Sequence, residues 1–182
     1  MQSDKLKEDA EGKIERAAIL TRWKVEDKTV LDIGAGPLAV IAARDFHCTV
    51  TNIDISADAL RDAEREAEEE SERITFEICD ATSLSYPNRS FDVVISYGVL
   101  HHIELDKRRK FIQEAYRVAK EKCIIAEFTS EGFDKIHAAS DFKAVDLEWL
   151  ERELNSLGEV DKYSGTVMRV YTLSLFTKEN RY

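Results

Sequence analysis

The chain has 182 residues, of which 43% are hydrophobic and 34% charged, with a formal net charge of −10. That length fits one domain spanning residues 1–182, large enough to fold on an apolar core without disulfide or metal staples. Seven glycines and two prolines exclude collagen-like and low-complexity chains, and no apolar run approaches the roughly 20 residues of a membrane-spanning helix.

Residues 3–23 carry apolar side chains at Leu6, Ala10, Ile14, Ala17 and Leu20, spacing that predicts a helix. This N-terminal helix, within residues 1–25, is expected to cover a ligand cleft. Residues 28–33 read as a buried strand ending in a glycine turn, and residues 37–46 as a helix with Pro37 at its first position. The alternation repeats: strand 48–55, helix 57–70 capped by Ser56, strand 73–79, strand 91–96, helix 105–119 and strand 122–128. Residues 129–143 have weak periodicity and suit a loop or short irregular helix. Asp146 caps a helix with Leu147, Leu150, Leu154 and Leu157 inward, stopped by Gly158. Two strands, 159–164 and 167–177, turn about Gly165 and suit an antiparallel pair.

This order predicts an α/β, Rossmann-like, doubly wound sheet, mainly parallel, with helices on both faces. Ligands of such sheets bind beyond the carboxyl ends of the strands, where the strand order reverses. The residues just after each strand are therefore the candidates.

Gly34-Ala35-Gly36-Pro37-Leu38-Ala39 follows the first strand and opens a helix. It fits the dinucleotide pattern GxGxxA, with Asp54 at the end of the second strand as the ribose acid. An NAD-dependent oxidoreductase is thus one reading. Three features favour another adenosine ligand. Asp32 would repel a pyrophosphate but attract an ammonium and a sulfonium. Pro37 removes an amide donor where a phosphate would seek one. Asp80, after the third strand, can accept from an adenine amine.

Four stretches in order carry a family resemblance: Val30-Leu31-Asp32-Ile33-Gly34-Ala35-Gly36, Thr51-Asn52-Ile53-Asp54-Ile55-Ser56, Asp80-Ala81-Thr82, and Phe91 to Ser96 running on to Val99-Leu100-His101-His102-Ile103. They resemble the class I S-adenosylmethionine-dependent methyltransferases, the last stretch that of the small-metabolite and quinone-type group. The resemblance implies a seven-stranded sheet with an antiparallel C-terminal strand and S-adenosyl-L-methionine as cofactor. It implies that the Gly34–Gly36 turn lets backbone approach the methionine moiety and that Asp32 orients that end. Asp54 would accept from both ribose hydroxyls, Ile55 would pack on adenine, and Asp80 with Ala81 would hold the adenine amine. Ser96 and Tyr97 would lie near the sulfonium. Leu38 stands where the family often has a third glycine.

Methyl transfer is an in-line displacement on a carbon already activated by sulfonium, so alignment is the main requirement. His101 and Tyr97 are the candidate catalytic residues, since an imidazole can serve as base. The competing reading of His101 and His102 is a helix entry hydrogen-bonded to backbone. Phe133, His137 and Phe142 could form a pocket lid. No metal site is expected. Lys107-Arg108-Arg109-Lys110 reads as a solvated basic face, and Cys48, Cys79 and Cys123 as buried, reduced thiols.

The acidic surface disfavours nucleic acid and points to a small-molecule substrate. The N-terminus shows no secretory pattern, so a cytoplasmic protein without a membrane partner is expected, with a homodimer as a possible state. A methyltransferase-like binding protein that holds the cofactor or a partner without turnover is a third reading, motivated by Leu38 and the lack of an obvious base.

Overall fold

The computed structural model describes residues 5–175. The expected strand 167–177 and helix 3–23 each extend past those limits, and the parts at residues 3–4 and 176–177 lie outside the described residues.

Among the described residues seven strands form one sheet: β1 (Thr29–Ile33), β2 (Thr49–Asp54), β3 (Ile74–Ile78), β4 (Phe91–Tyr97), β5 (Ala119–Phe128), β6 (Glu159–Ser164) and β7 (Met168–Ser174). Their order is β3-β2-β1-β4-β5-β7-β6. β1 pairs in parallel with β2 and β4, and the order reverses between those two pairings. β7 inserts antiparallel between β5 and β6, so the sheet is mainly parallel, as expected.

Among the described residues six α-helices accompany the strands: α1 (Arg16–Arg22), α2 (Leu38–Phe46), α3 (Ala57–Glu66), α4 (Arg108–Val118), α5 (Ser130–His137) and α6 (Leu147–Asn155). Side chains alternate across each strand, which divides the core in two. Val30, Val93 and Ile95 pack with α1, α2 and Phe133 of α5 on one face. Leu31, Ile33 and Val94 pack with α4 and α6 on the other. Local caps agree with the sequence: Ser56 accepts from the Ala59 amide, and Asp146 accepts from the amides of Glu148 and Trp149.

The first segment differs from expectation. Only Arg16–Arg22 is helical, and the preceding residues form a turned strap with a bridge between Glu8 and Ile14. The Asp9 carboxylate accepts from the amides of Glu11 and Lys13, and Gly12 adopts φ +83°, a conformation a helix cannot contain. The strap crosses the molecule: Leu6 donates its amide to the Tyr163 hydroxyl, and Glu8 accepts from the amide and hydroxyl of Thr166.

Smaller differences have local causes. Pro37 is the N-cap of α2, one place before the helix proper. The helix after β2 ends at Glu66 and gives way to a 3-10 turn, Glu68–Arg73. Residues 130–137, expected within a loop or short irregular helix, form the regular helix α5, capped where the Thr129 hydroxyl accepts from the Gly132 amide. α6 ends at Asn155, so Gly158 lies past the cap, where a side chain would press on Leu173. No helix among the described residues is long and apolar enough to cross a membrane.

Candidate functional site

A cleft of about 630 Å³ opens at the carboxyl ends of β1, β2 and β4. It is lined by residues following each of those strands and β3, among them Asp32, Gly34, Gly36, Asp54, Ile55, Asp80, Ala81 and Tyr97. Topology brings together eight of the nine expected ligand contacts, because the four parallel strands end at the same edge of the sheet, on both sides of the reversal.

The glycine turn is held from two sides. Gly34 has φ +102°, and a Cβ there would stand 2.5 Å from Val99 Cγ2, so only glycine fits. Gly36 has open space where a side chain would be and faces the cleft. Asp54 Oδ2 accepts from the Ala35 amide at 2.8 Å and Oδ1 from the Ser56 amide at 2.8 Å. Leu38 is buried at the start of α2 and contributes to the cleft wall.

Asp32 is 2% exposed. Burial raises its pKa well above the usual carboxylate value, while Arg16 and the Asn52 amide oppose the rise. Asn52 Nδ2 lies 3.0 Å from Asp32 Oδ2 and from the Gly34 carbonyl oxygen, so β2 fixes both the acid and the turn. Asp80 differs: its Oδ1 accepts from the amide and hydroxyl of Thr82, which lowers its pKa. Ile55 is 73% exposed at the cleft edge, an apolar side chain open to a ligand.

The structure separates two expected residues from the cleft. Ser96 is buried between β1 and β5, opposite Ile33 and Ile125, and does not line the opening. Its neighbour Tyr97 does, because successive strand residues face opposite sides. The Tyr97 hydroxyl donates to the Ile14 carbonyl at 2.7 Å, and burial pushes its pKa up to about 12, which unfits it as a proton acceptor. His101 is buried, with Nδ1 3.1 Å from Glu127 Oε2, whereas His102 lines the cleft beside Phe142. Phe133 is buried and Phe142 is 43% exposed, so of the expected lid Phe142 alone reaches the opening.

Three residues escaped sequence reasoning. Arg16 lines the cleft with its guanidinium carbon 4.0 Å from the Tyr97 ring centroid. It is not among the apolar positions from which the long helix was predicted. Glu127 is fully buried in β5, a strand from which no site residue was expected. Arg108 is 3% exposed, which corrects the reading of its tetrad as a solvated face. It donates to the carbonyls of His101, Ile103, Lys143 and Ala144, while Lys107 and Arg109 pair with Glu104 and Glu153 at the surface. Cys79 is also corrected: Cys48 and Cys123 are buried, but Cys79 is partly exposed and borders the cleft.

Comparison with known proteins agrees with this geometry. A methyltransferase-domain family model matches residues 30–122, half of the chain, from the first strand into the fifth. The chain belongs to the methyltransferase-domain family. Over 96 residues it is 29% identical to ajmaline N-methyltransferase from Rauvolfia serpentina, a match covering 50% of this chain and 32% of that protein. The chain thus spans about a third of the length of such curated relatives. Its fold is similar to magnesium protoporphyrin IX methyltransferase from Synechocystis PCC 6803, solved with bound SAH, at 19% identity and TM-score 0.69, covering 86% of this chain and 78% of that one. It is similar also to a SAM-dependent methyltransferase from Methanosarcina mazei, at 20% identity and TM-score 0.69, covering 88% and 98%. The methyltransferase resemblance read from four short motifs is borne out, and with it the Rossmann-like sheet.

Proposed function

We propose that the protein is a methyltransferase that uses S-adenosyl-L-methionine to methylate a small molecule in the cytoplasm. The observation that carries this reading is the convergence of Asp32, Asp54 and Asp80 on one cleft beside an open glycine turn. Three carboxylates would repel a diphosphate and suit a ligand whose charged groups are an ammonium and a sulfonium.

Each acid has a place in this reading. Asp32 faces the ammonium end, with Arg16 across from it near the carboxylate. A carboxylate offers about four acceptor positions. Asp54 spends two on the amides of Ala35 and Ser56, leaving two for the ribose hydroxyls. Both Thr82 bonds of Asp80 fall on Oδ1, leaving Oδ2 for the adenine amine. Ile55 covers one face of the base. When bound, the cofactor supplies the activated methyl group, and the residues of this chain align the acceptor and exclude water.

Calorimetry with S-adenosylhomocysteine and with NADH tests the reading. Binding of the first and not the second is expected. Binding of NADH alone would return the chain to the dinucleotide reading.

A further inference from the structure

Among the described residues the exposed large apolar side chains are Ile55, Ile78, Leu105 and Phe142, and all four stand around the mouth of the cleft. Ile55 and Phe142 line it, Ile78 is paired in register with Asp54, and Leu105 lies between Glu104 and Lys107 of the lining. Single exposed apolar residues are ordinary, but a set gathered at one opening of a strongly charged chain marks a surface that something apolar covers. The proposed adenine accounts for Ile55 and leaves the rest.

The charged side chains of the lining are already engaged. In the proposed reading Asp32, Asp54, Asp80 and Arg16 face the cofactor, and Lys107 Nζ pairs with Glu104 Oε2 at 2.6 Å. Polar ends are engaged as well: the Tyr97 hydroxyl donates to the Ile14 carbonyl and the Thr82 hydroxyl to Asp80, while Ser56 Oγ accepts from the Ala59 amide. What this leaves past β4 is Val99, His102, Ile103 and Phe142. The rings of His102 and Phe142 form an edge-to-face pair, with centroids 4.2 Å apart and planes at 69°. Desolvation and the imidazoles of His101 and His137 hold the His102 pKa below the usual histidine value, so this pad is uncharged at neutral pH.

The two rings come from different segments, and one buried side chain joins those segments. Arg108 Nη2 donates to the His101 carbonyl at 3.3 Å and Nε to the Ile103 carbonyl at 3.0 Å, on either side of His102. Nη2 also donates to the Lys143 carbonyl at 2.7 Å and Nη1 to the Ala144 carbonyl at 3.0 Å, directly after Phe142. The planar fork of a guanidinium spans both segments, and the point charge of a lysine does not.

We infer that the methyl acceptor is an uncharged molecule with an apolar body, that Phe142 and His102 form the surface on which it lies, and that Arg108 is the positioning residue of that surface. The inference rests on the proposed cofactor, which takes up the charged groups of the cleft and leaves the acceptor to apolar contact. A charge brought against this pad is stripped of water and meets no partner, so the site rejects ionic acceptors and keeps neutral ones.

Three fluorescent naphthalenes with one body and different charge test this: 2-naphthalenemethanol, 2-naphthoate and 2-naphthylmethylammonium. The full chain is saturated with S-adenosylhomocysteine, and each probe is titrated at about 0.15 M salt, where long-range attraction to the acidic surface is screened. The neutral probe should bind at least about 10-fold more tightly than either ion. Phe142→Ala truncates an exposed side chain and spares the core. Its affinity for the neutral probe should fall about 10-fold, with S-adenosylhomocysteine affinity within about 3-fold of wild type. Arg108→Lys keeps the charge and should show the same fall, again with the cofactor product still bound. The double variant should fall no further, because both substitutions remove one surface, whereas a general structural role for Arg108 would make the two losses multiply. An ion that binds as tightly as the neutral probe, no binding of the neutral probe, or full affinity in Phe142→Ala would overturn the acceptor class. Full probe affinity in Arg108→Lys, or multiplied losses in the double variant, would overturn the role of Arg108. Either result leaves the cofactor reading intact. Failure of S-adenosylhomocysteine to bind the wild type would sink that reading itself.

Discussion

Asp54 Oδ2 accepts from the Ala35 amide at 2.8 Å, so the acid closing β2 holds the turn that follows β1. One side chain thus serves the shape of the cleft and the proposed contact with ribose. Asp54→Ala removes both. Hydrogen bonds to a charged group are worth about 1.5–3 kcal/mol each, so S-adenosylhomocysteine affinity should fall about 10- to 100-fold by calorimetry. Asp54→Asn should fall less, because an amide oxygen can still accept from Ala35.

Asp32 couples stability to pH in the less common direction for a carboxylate. Burial raises its native pKa above 3.8, so the folded chain binds its proton more readily than the unfolded one. The stability this provides is complete below 3.8 and declines as pH rises through the native value. Asp32→Asn should remove that decline and raise Tm at neutral pH, by about 2–4 °C for each kcal/mol relieved. The same variant should weaken S-adenosylhomocysteine binding, because the ammonium loses its counter-charge. Melting scans across pH, paired with calorimetry, separate the two effects.

Gly34→Ala should be among the most damaging small substitutions. It places a methyl group against Val99 and forces an L-residue to φ +102°. Left-handed strain of this kind costs about 1–3 kcal/mol before the clash is counted. Urea titration should show that loss, and adenosyl ligands should bind too weakly to detect. Gly36→Ala, with open space at its Cβ, should keep its stability and lose only affinity.

Leu150 tests the far layer. It is fully buried in α6, away from the cleft. Leu150→Ala should cost about 2–5 kcal/mol in urea unfolding, and the folded fraction should bind S-adenosylhomocysteine like wild type.

The strands and the acids that close them were legible because they rest on local rules. An apolar run of strand length ending at Asp32, Asp54 or Asp80 announces itself without knowledge of its neighbours. Arg108 and Glu127 did not, because each is explained by partners far along the chain. Arg108 answers carbonyls 35 and 36 residues away, and Glu127 answers a histidine 26 residues away. A run of four basic residues looks solvated until one is found to be satisfied internally. The strap failed for the opposite reason. Its apolar spacing matched a helix, but Asp9 and Gly12 offered the backbone a competing local solution. Ser96 shows the limit of motif position alone, since one step along a strand moves a side chain to the other side of the sheet.

The strap has a further consequence for how the molecule comes together. Arg16 and the Tyr97 anchor are set by a segment whose own fastenings, Tyr163 and Thr166, lie 157 and 158 residues downstream. Such distant closures are slow and come late in assembly. A nascent chain that has emerged through β5 would already carry the three acids in order, yet its ligand chamber would lack a wall until the β6–β7 hairpin is made. That wall is thereby completed only once the hairpin has formed.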